Sequence, residues 1–189
     1  RIQTARKAKE SSVPSHPPAS FTLPPLPKGT AVPDMPPHLS VLCRKTEQIP
    51  AALDAGANAV YLDFEDLRDY AEGIKTVREH GKSIPVFLAT PRIQKPSEVG
   101  YFKLMERAEP DGILIRNLGA AQYFRQSPLH RIGDFSLNVA NPYSAAILKK
   151  RGNLAHLTIS YDLNAEQVAD LLRAAPPEWF ELTLPQHMP

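Results

Sequence analysis

Three carboxylates crowd the segment Leu62-Asp63-Phe64-Glu65-Asp66, at the tip of an apolar run that reads as a strand. Carboxylates alternating across a strand end can hold a divalent cation or act as a base. Alternatively, acids at that place cap the helix that follows, which carries Leu67 and Tyr70, because its first turn exposes free backbone donors. A second polar tip is Arg116-Asn117, at the end of the run Gly112–Arg116. A guanidinium there clamps a carboxylate or phosphate of a substrate, or else pairs with a neighbouring tip such as Asp63 or Glu65. Asn138 stands near the end of a third apolar run, Phe135–Val139, and Asn141 follows it. Asn141 precedes Pro142, the pattern of a helix N-cap with proline at the first helical position, so its role reads as structural. Asn138 has no such duty and is the better ligand candidate. Tyr161 ends a further run, and His187 stands after the last one as a candidate base or ligand. No Ser-His-Asp or Cys-His set stands out, since many such residues compete.

Parallel strands bring tips of this kind together, so the positioning elements matter. Strand candidates are Leu39–Arg44, Ala59–Asp63, Ile84–Thr90, Gly112–Arg116, Phe135–Val139, Leu157–Tyr161 and Phe180–Leu184. Helical patterns lie between them. Leu67, Tyr70, Ile74 and Val77 form one face, ending near Gly81; Tyr101, Leu104, Met105 and Ala108 form another, stopped by Pro110. The helix starting at Asn141-Pro142 closes at Gly152, the expected left-handed position, and Asn164 with Gln167 makes a capping box for the next. Strands recurring every 20 to 27 residues or so, with a helix in each gap, demand parallel pairing and right-handed crossovers. A doubly wound sheet is one solution, but no glycine-rich phosphate turn follows the first strand. A TIM-type (β/α) barrel, incomplete at about seven strands, fits the even repeat better. Its eighth unit would come from a continuation of the chain or from a partner, or the sheet would stay open. On these grounds Asp63, Arg116, Asn138 and Tyr161 should converge on one end of the sheet.

Composition bounds the function. The chain has 189 residues and a net charge of +2, too small for a general polyanion-binding platform. One cysteine, Cys43, excludes a disulfide framework and a self-contained cysteine metal site; it fits a reducing, cytoplasmic setting and reads as a small buried hydrophobe. No apolar run approaches the roughly 20 residues that span a bilayer, so no membrane partner is expected. Nor does the start carry the apolar segment of a signal peptide, and an initial Arg is expected of an excised or processed chain. Residues 1–37 hold nine of the 20 prolines and few branched apolar residues, the composition of an extended linker without a core. The domain is expected over residues 38–189.

Within that domain, ALDAGANAVYLDFEDLRDYAEGI resembles the opening of peptidase family U32, the collagenase-like proteases, where A-x-x-A-G-A-D-A-V-Y-L precedes a loop and helix. DGILIRNLGAAQYFR, DFSLNVANPYSAAILKKRG and LAHLTISYDLNAEQVADLL resemble later segments of the family, in the same order, so the resemblance covers about residues 38 to 187. A proline-rich lead-in before LSVLCR is similar to the second barrel-like unit of long members. The resemblance implies peptidase activity, as in some members, or a part in hydroxylating RNA bases, as in others. It also implies a peptide or RNA substrate and, as partner, the rest of a longer polypeptide with another U32-type unit. The family's cysteine cluster, an iron–sulfur ligand set in several members, would follow Pro189; no cofactor is evident in the chain itself. Its E-x-F-x-x-G signature is absent, and Asp162 stands where Glu is common. These departures make a unit that holds substrate and is inactive alone the leading expectation. A metal-dependent lyase or aldolase using Asp63 and Glu65, or a plain interaction module, are the alternatives. Oligomeric state is not legible.

Overall fold

The computed structural model describes residues 25–26, 37–80 and 83–184. Seven strands make one all-parallel sheet in sequential order: β1 Ser40–Cys43, β2 Ala59–Leu62, β3 Val86–Ala89, β4 Gly112–Ile115, β5 His130–Gly133, β6 His156–Thr158 and β7 Phe180–Glu181. Between them run α1 Gln48–Asp54, α2 Tyr70–Glu79, α3 Gly100–Arg107, α4 Leu118–Tyr123, α5 Pro142–Gly152 and α6 Ala165–Ala174. Unbroken sequential order is the mark of a barrel progression; a doubly wound sheet reverses direction at a switch point. The fold is therefore an incomplete TIM-like α/β barrel.

Alternation along each strand sorts residues onto two surfaces. Val60, Leu62, Val86, Leu88, Ile113, Ile115 and Leu157 face outward and pack on Leu53, Ile74, Val77, Phe102, Met105 and Phe124 of the helical layer. Ala59, Tyr61, Phe87, Ala89, Leu114 and Ile132 form a second cluster on the concave side. The curl is visible in one hydrogen bond: the Tyr61 hydroxyl on β2 donates to Glu181 Oε1 on β7 at 2.6 Å. Burial, then the Glu181 charge, push that phenol well above its ordinary pKa, so it remains a donor. Among the described residues β1 and β7 do not pair, and the barrel stays open between them.

The fifth strand departs from the sequence reading. Phe135–Val139 is not a strand: Phe135–Leu137 is a 3-10 turn, Asn138 is left-handed with φ 53°, and Val139 makes a lone bridge to Ile159. The strand is His130–Gly133, paired along its length with β4. Its polar start is stabilised by the Arg131 side chain, which donates to the carbonyls of Asn153 (3.0 Å), Leu129 (2.6 Å) and Ser127. Its end needs glycine, because a Cβ on Gly133 would stand 2.6 Å from the Leu157 side chain. A second correction concerns α5, where the left-handed cap is Asn153 (φ 52°) and Gly152 is the last helical residue. The Asn141-Pro142 start and the Asn164–Gln167 capping box are both present as expected. Gly81 and most of residues 1–37 lie outside the described residues.

Candidate functional site

Asp63 and Arg116 follow β2 and β4 by one residue and continue their inward-facing positions, Tyr61 and Leu114. One strand, β3, separates them, so the two backbones are about 10 Å apart. Only a long side chain crosses that span, and it passes over small Ala89. Arg116 Nη1 reaches Asp63 Oδ1 at 2.5 Å and Nη2 reaches Oδ2 at 2.8 Å, a bidentate pair. Arg116 Nε is 3.3 Å from Asp134 Oδ2 but makes no aligned hydrogen bond. Arg116 and Asp134 are 6% and 3% exposed, so this three-charge group is an interior feature of the barrel mouth. Burial works against the guanidinium charge, yet the Asp63 bond and the two carboxylates outweigh it and hold its pKa above the ordinary value.

The surroundings fix the group in place. Arg116 N donates to Thr90 Oγ1 at 3.0 Å, and the Ser136 hydroxyl lies 2.8 Å from Asp134 Oδ2 and 3.0 Å from the Arg116 carbonyl. The buried Tyr70 hydroxyl donates to the Ala89 carbonyl at 2.8 Å; burial and then the nearby Asp63 charge push it up. Among the candidate site residues read from the sequence, Asp134, Thr90 and Tyr70 are missing: Tyr70 reads only as a helix-face residue and Thr90 only as a strand end. Asp134-Phe135-Ser136 carries a usable signal, an acid two residues before a hydroxyl, which is the pattern of a capped turn.

The remaining candidates divide between caps and surface. Asn117 caps α4, its Oδ1 accepting from Ala120 N at 2.8 Å while its Nδ2 donates to the Pro91 carbonyl at 2.8 Å. Asn141 caps α5 through Ser144 N at 2.9 Å. Asn138 is exposed and ends the 3-10 turn that replaces the expected strand. Glu65 is exposed at the mouth, and Asp66 caps the short turn Leu67–Asp69 while pairing with Arg68 at 2.5 Å. Arg68 holds the Asp66 carboxyl down at about 2. Tyr161 is exposed and stacks edge-on against Phe135 at 4.8 Å, with Arg92 4.9 Å over the Phe135 ring. His187 lies outside the described residues. Cys43 is buried on the outer, helix-facing surface, where burial pushes its thiol up, away from nucleophilic use.

A cavity of about 1130 Å³ opens at this end of the sheet, between Arg44, Lys45, Glu65, Tyr101 and Leu104, with Arg116 and Asp63 at its floor. It offers charges of both signs and an apolar wall, features that hold a substrate. Among the described residues no set of three or more His, Cys, Asp and Glu could hold a metal. Asp63 and Asp134 bracket a guanidinium instead of converging on an open point. The four described histidines also sit away from the mouth. His38 precedes β1, His80 ends α2 ahead of β3, and His130 and His156 begin β5 and β6, all at the opposite end of the sheet. No helix among the described residues is long and apolar enough to cross a membrane.

No family model and no curated protein matches the chain. Solved structures do. A glycerol uptake operon antiterminator-related protein from Thermotoga maritima superposes with a TM-score of 0.51 at 10% identity, over 77% of this chain and 94% of that one. MenC from Desulfotalea psychrophila gives 0.48 at 15% identity, over 79% of this chain and 46% of that one. A member of the enolase superfamily from Enterococcus faecalis gives 0.46 at 11%, over 65% and 35%. The chain thus spans less than half the length of the last two. At such identities the likeness speaks to the fold alone.

Proposed function

We propose that this chain is the substrate-holding β/α unit of a U32-like protein, that it binds an extended polypeptide in the groove at the C-terminal strand ends, and that it does not cleave peptide bonds by itself. The observation that carries this reading is the closed state of the central charged group. Peptide hydrolysis needs an activated nucleophile or a metal-bound water, with donors free to receive the oxyanion. Arg116 is bonded on both terminal nitrogens to Asp63, and its remaining nitrogen faces Asp134. The described histidines stand at the other end of the sheet, and Cys43 is on the other surface. Around the closed centre, the open mouth carries exposed Arg44, Lys45, Glu65 and Tyr101, groups suited to holding a chain by its backbone and side chains. The solitary buried thiol suits a reducing, cytoplasmic compartment.

The experiment is a binding and cleavage assay on the same sample. Fluorescein-labelled denatured collagen should bind saturably, and an Arg44→Ser, Lys45→Ser double variant should bind it several-fold more weakly with an unchanged melting temperature. No new amino termini should appear during prolonged incubation. Turnover of the peptide, or an absence of saturable binding, overturns the reading.

A further inference from the structure

A second cavity, of about 540 Å³, opens at the C-terminal end of the sheet. Arg116 lines both cavities, with the groove on the side of β1 and β2 and the smaller one on the side of α4 and α5. The wall of the smaller cavity is aliphatic. Leu118 opens α4, Leu137 ends the 3-10 turn after β5, and Ile147 and Leu148 lie along α5. Leu118 and Ile147 are 67% and 55% exposed. Scattered singly, such residues need no explanation, but these two line one cavity together with two further leucines.

The polar groups of this lining are committed elsewhere, with one exception. Arg116 is spent on Asp63. Asn117 holds Pro91 and Ala120, the Ser136 hydroxyl lies between Asp134 and the Arg116 carbonyl, and the Ser144 hydroxyl donates to the Asn141 carbonyl at 2.9 Å. The exception is Arg92. Its guanidinium lies 4.9 Å over the Phe135 ring, and among the described residues its N–H groups have no hydrogen-bond or ion-pair partner. Stacking on a ring occupies the face of a guanidinium and leaves the donor fork at its edge free, so this cation is held in place without being neutralised. Among the described residues no acid lines the cavity, whereas Glu47 and Glu65 are among the acids that line the groove. The nearby Asp134 is buried and faces Arg116.

We infer that this cavity binds a small aliphatic monocarboxylate, its carboxylate clamped by Arg92 and its branched hydrocarbon tail laid on Leu118, Leu137, Ile147 and Leu148. The inference goes beyond the polypeptide-binding reading and does not rest on it. The volume is that of a small-molecule site, and a bidentate guanidinium–carboxylate pair fixes the direction of the head group. A single free cation selects against a dicarboxylate, whose second charge would lie against leucines. The lining has no acid to receive an ammonium, so an amino acid of the same shape should be rejected.

The test is titration of the isotope-labelled chain with sodium isocaproate, read in amide correlation spectra against sodium chloride at the same concentrations. Saturable shifts should appear at Leu118, Leu137 and Ile147, and not at Arg44 or Lys45 in the groove. Arg92→Gln should weaken binding by about tenfold, the worth of one charge-assisted pair. Ile147→Gln should weaken it several-fold by removing part of the apolar wall. Both side chains are exposed, so neither change should move the melting temperature. Leucine and isocaproamide, which add an ammonium or lack the charge, should bind far more weakly than the acid. The inference is sunk by a parent that shows no saturable shift, by an Arg92→Gln variant that binds as the parent does, or by leucine binding as tightly. Tighter binding of N-acetyl-leucine would also overturn it, by pointing to the C-terminus of a peptide as the occupant.

Discussion

Strands β2, β3 and β4 each bury all four of their residues, whereas β5 starts with an exposed His130 and a half-buried Arg131, β6 starts with an exposed His156, and β7 is two half-buried residues. In the first region the sheet is sandwiched between the concave cluster and the helices α1 to α3, so apolar burial alone specifies it. In the second region side-chain bonds do more of the work. Arg131 and Lys149 satisfy carbonyls at strand starts and helix ends, and Tyr61 reaches across from β2 to Glu181 on β7. A barrel progression can thus change its means of support along the chain and keep one topology throughout.

The largest expected effect concerns the group that joins the two regions. Arg116→Met should destabilise the chain by about 3–5 kcal/mol, because it leaves buried Asp134 and nearly buried Asp63 without a counter-charge. Urea denaturation measures this, and a loss below about 1 kcal/mol would mean that the carboxylates find other partners. Next, Leu88→Ala on β3 should cost about 3 kcal/mol, and Phe180→Ala on β7 roughly half as much, since the former removes fully buried surface and the latter half-buried surface. Equal costs would break the contrast between the regions. Tyr61→Phe should cost about 1.5 kcal/mol by deleting one part-buried hydrogen bond to a carboxylate. Its signature should be faster amide exchange in β7, with β3 and β4 unaffected.

The smallest effect is acid sensitivity at the exposed tip of the first region. Asp66 has a folded pKa of about 2, below its ordinary 3.8. A depressed carboxylate contributes stability that is present above the unfolded value and lost as pH falls through the folded one. The melting-temperature difference between the parent and Asp66→Asn should therefore be present at pH 5 and shrink on descending from about pH 4 to pH 2. A difference independent of pH would show that the Asp66 cap, and not its charge, matters.

The same contrast explains what could be read from the sequence. Val60, Leu62, Val86, Leu88, Ile113 and Ile115 form short unbroken apolar runs with their neighbours, the pattern of strands buried on both faces, and these strands were legible within one or two residues. The strand His130-Arg131-Ile132-Gly133 has a single large apolar residue, and its identity depends on tertiary partners: the carbonyls around Arg131 and the Leu157 side chain against Gly133. Phe135-Ser136-Leu137-Asn138-Val139 alternates like a strand, but it is a capped turn whose Ser136 bonds Asp134. Asp63 and Arg116 were legible as tips of parallel strands, and their pairing was one of two readings. Asp134 was hidden because the misplaced strand put it before the run and not at its tip. Tyr161 shares the C-terminal end of the sheet but packs on Phe135 instead of entering the mouth.

The Tyr61–Glu181 bond joins residues 120 positions apart, while every ladder of the sheet joins neighbouring strands. Each strand can therefore add to the growing edge with a short loop closed at a time, whereas this cross-barrel bond encloses nearly the whole sheet. If it formed first, it would close a loop about six times longer than a single strand-to-strand step, an added entropic cost of roughly 1.6 kcal/mol. Formed last, it closes over a chain already ordered and adds no such cost. Assembly then proceeds by addition of neighbouring strands with this bond closing last, and Tyr61→Phe should speed unfolding while leaving the folding rate almost unchanged.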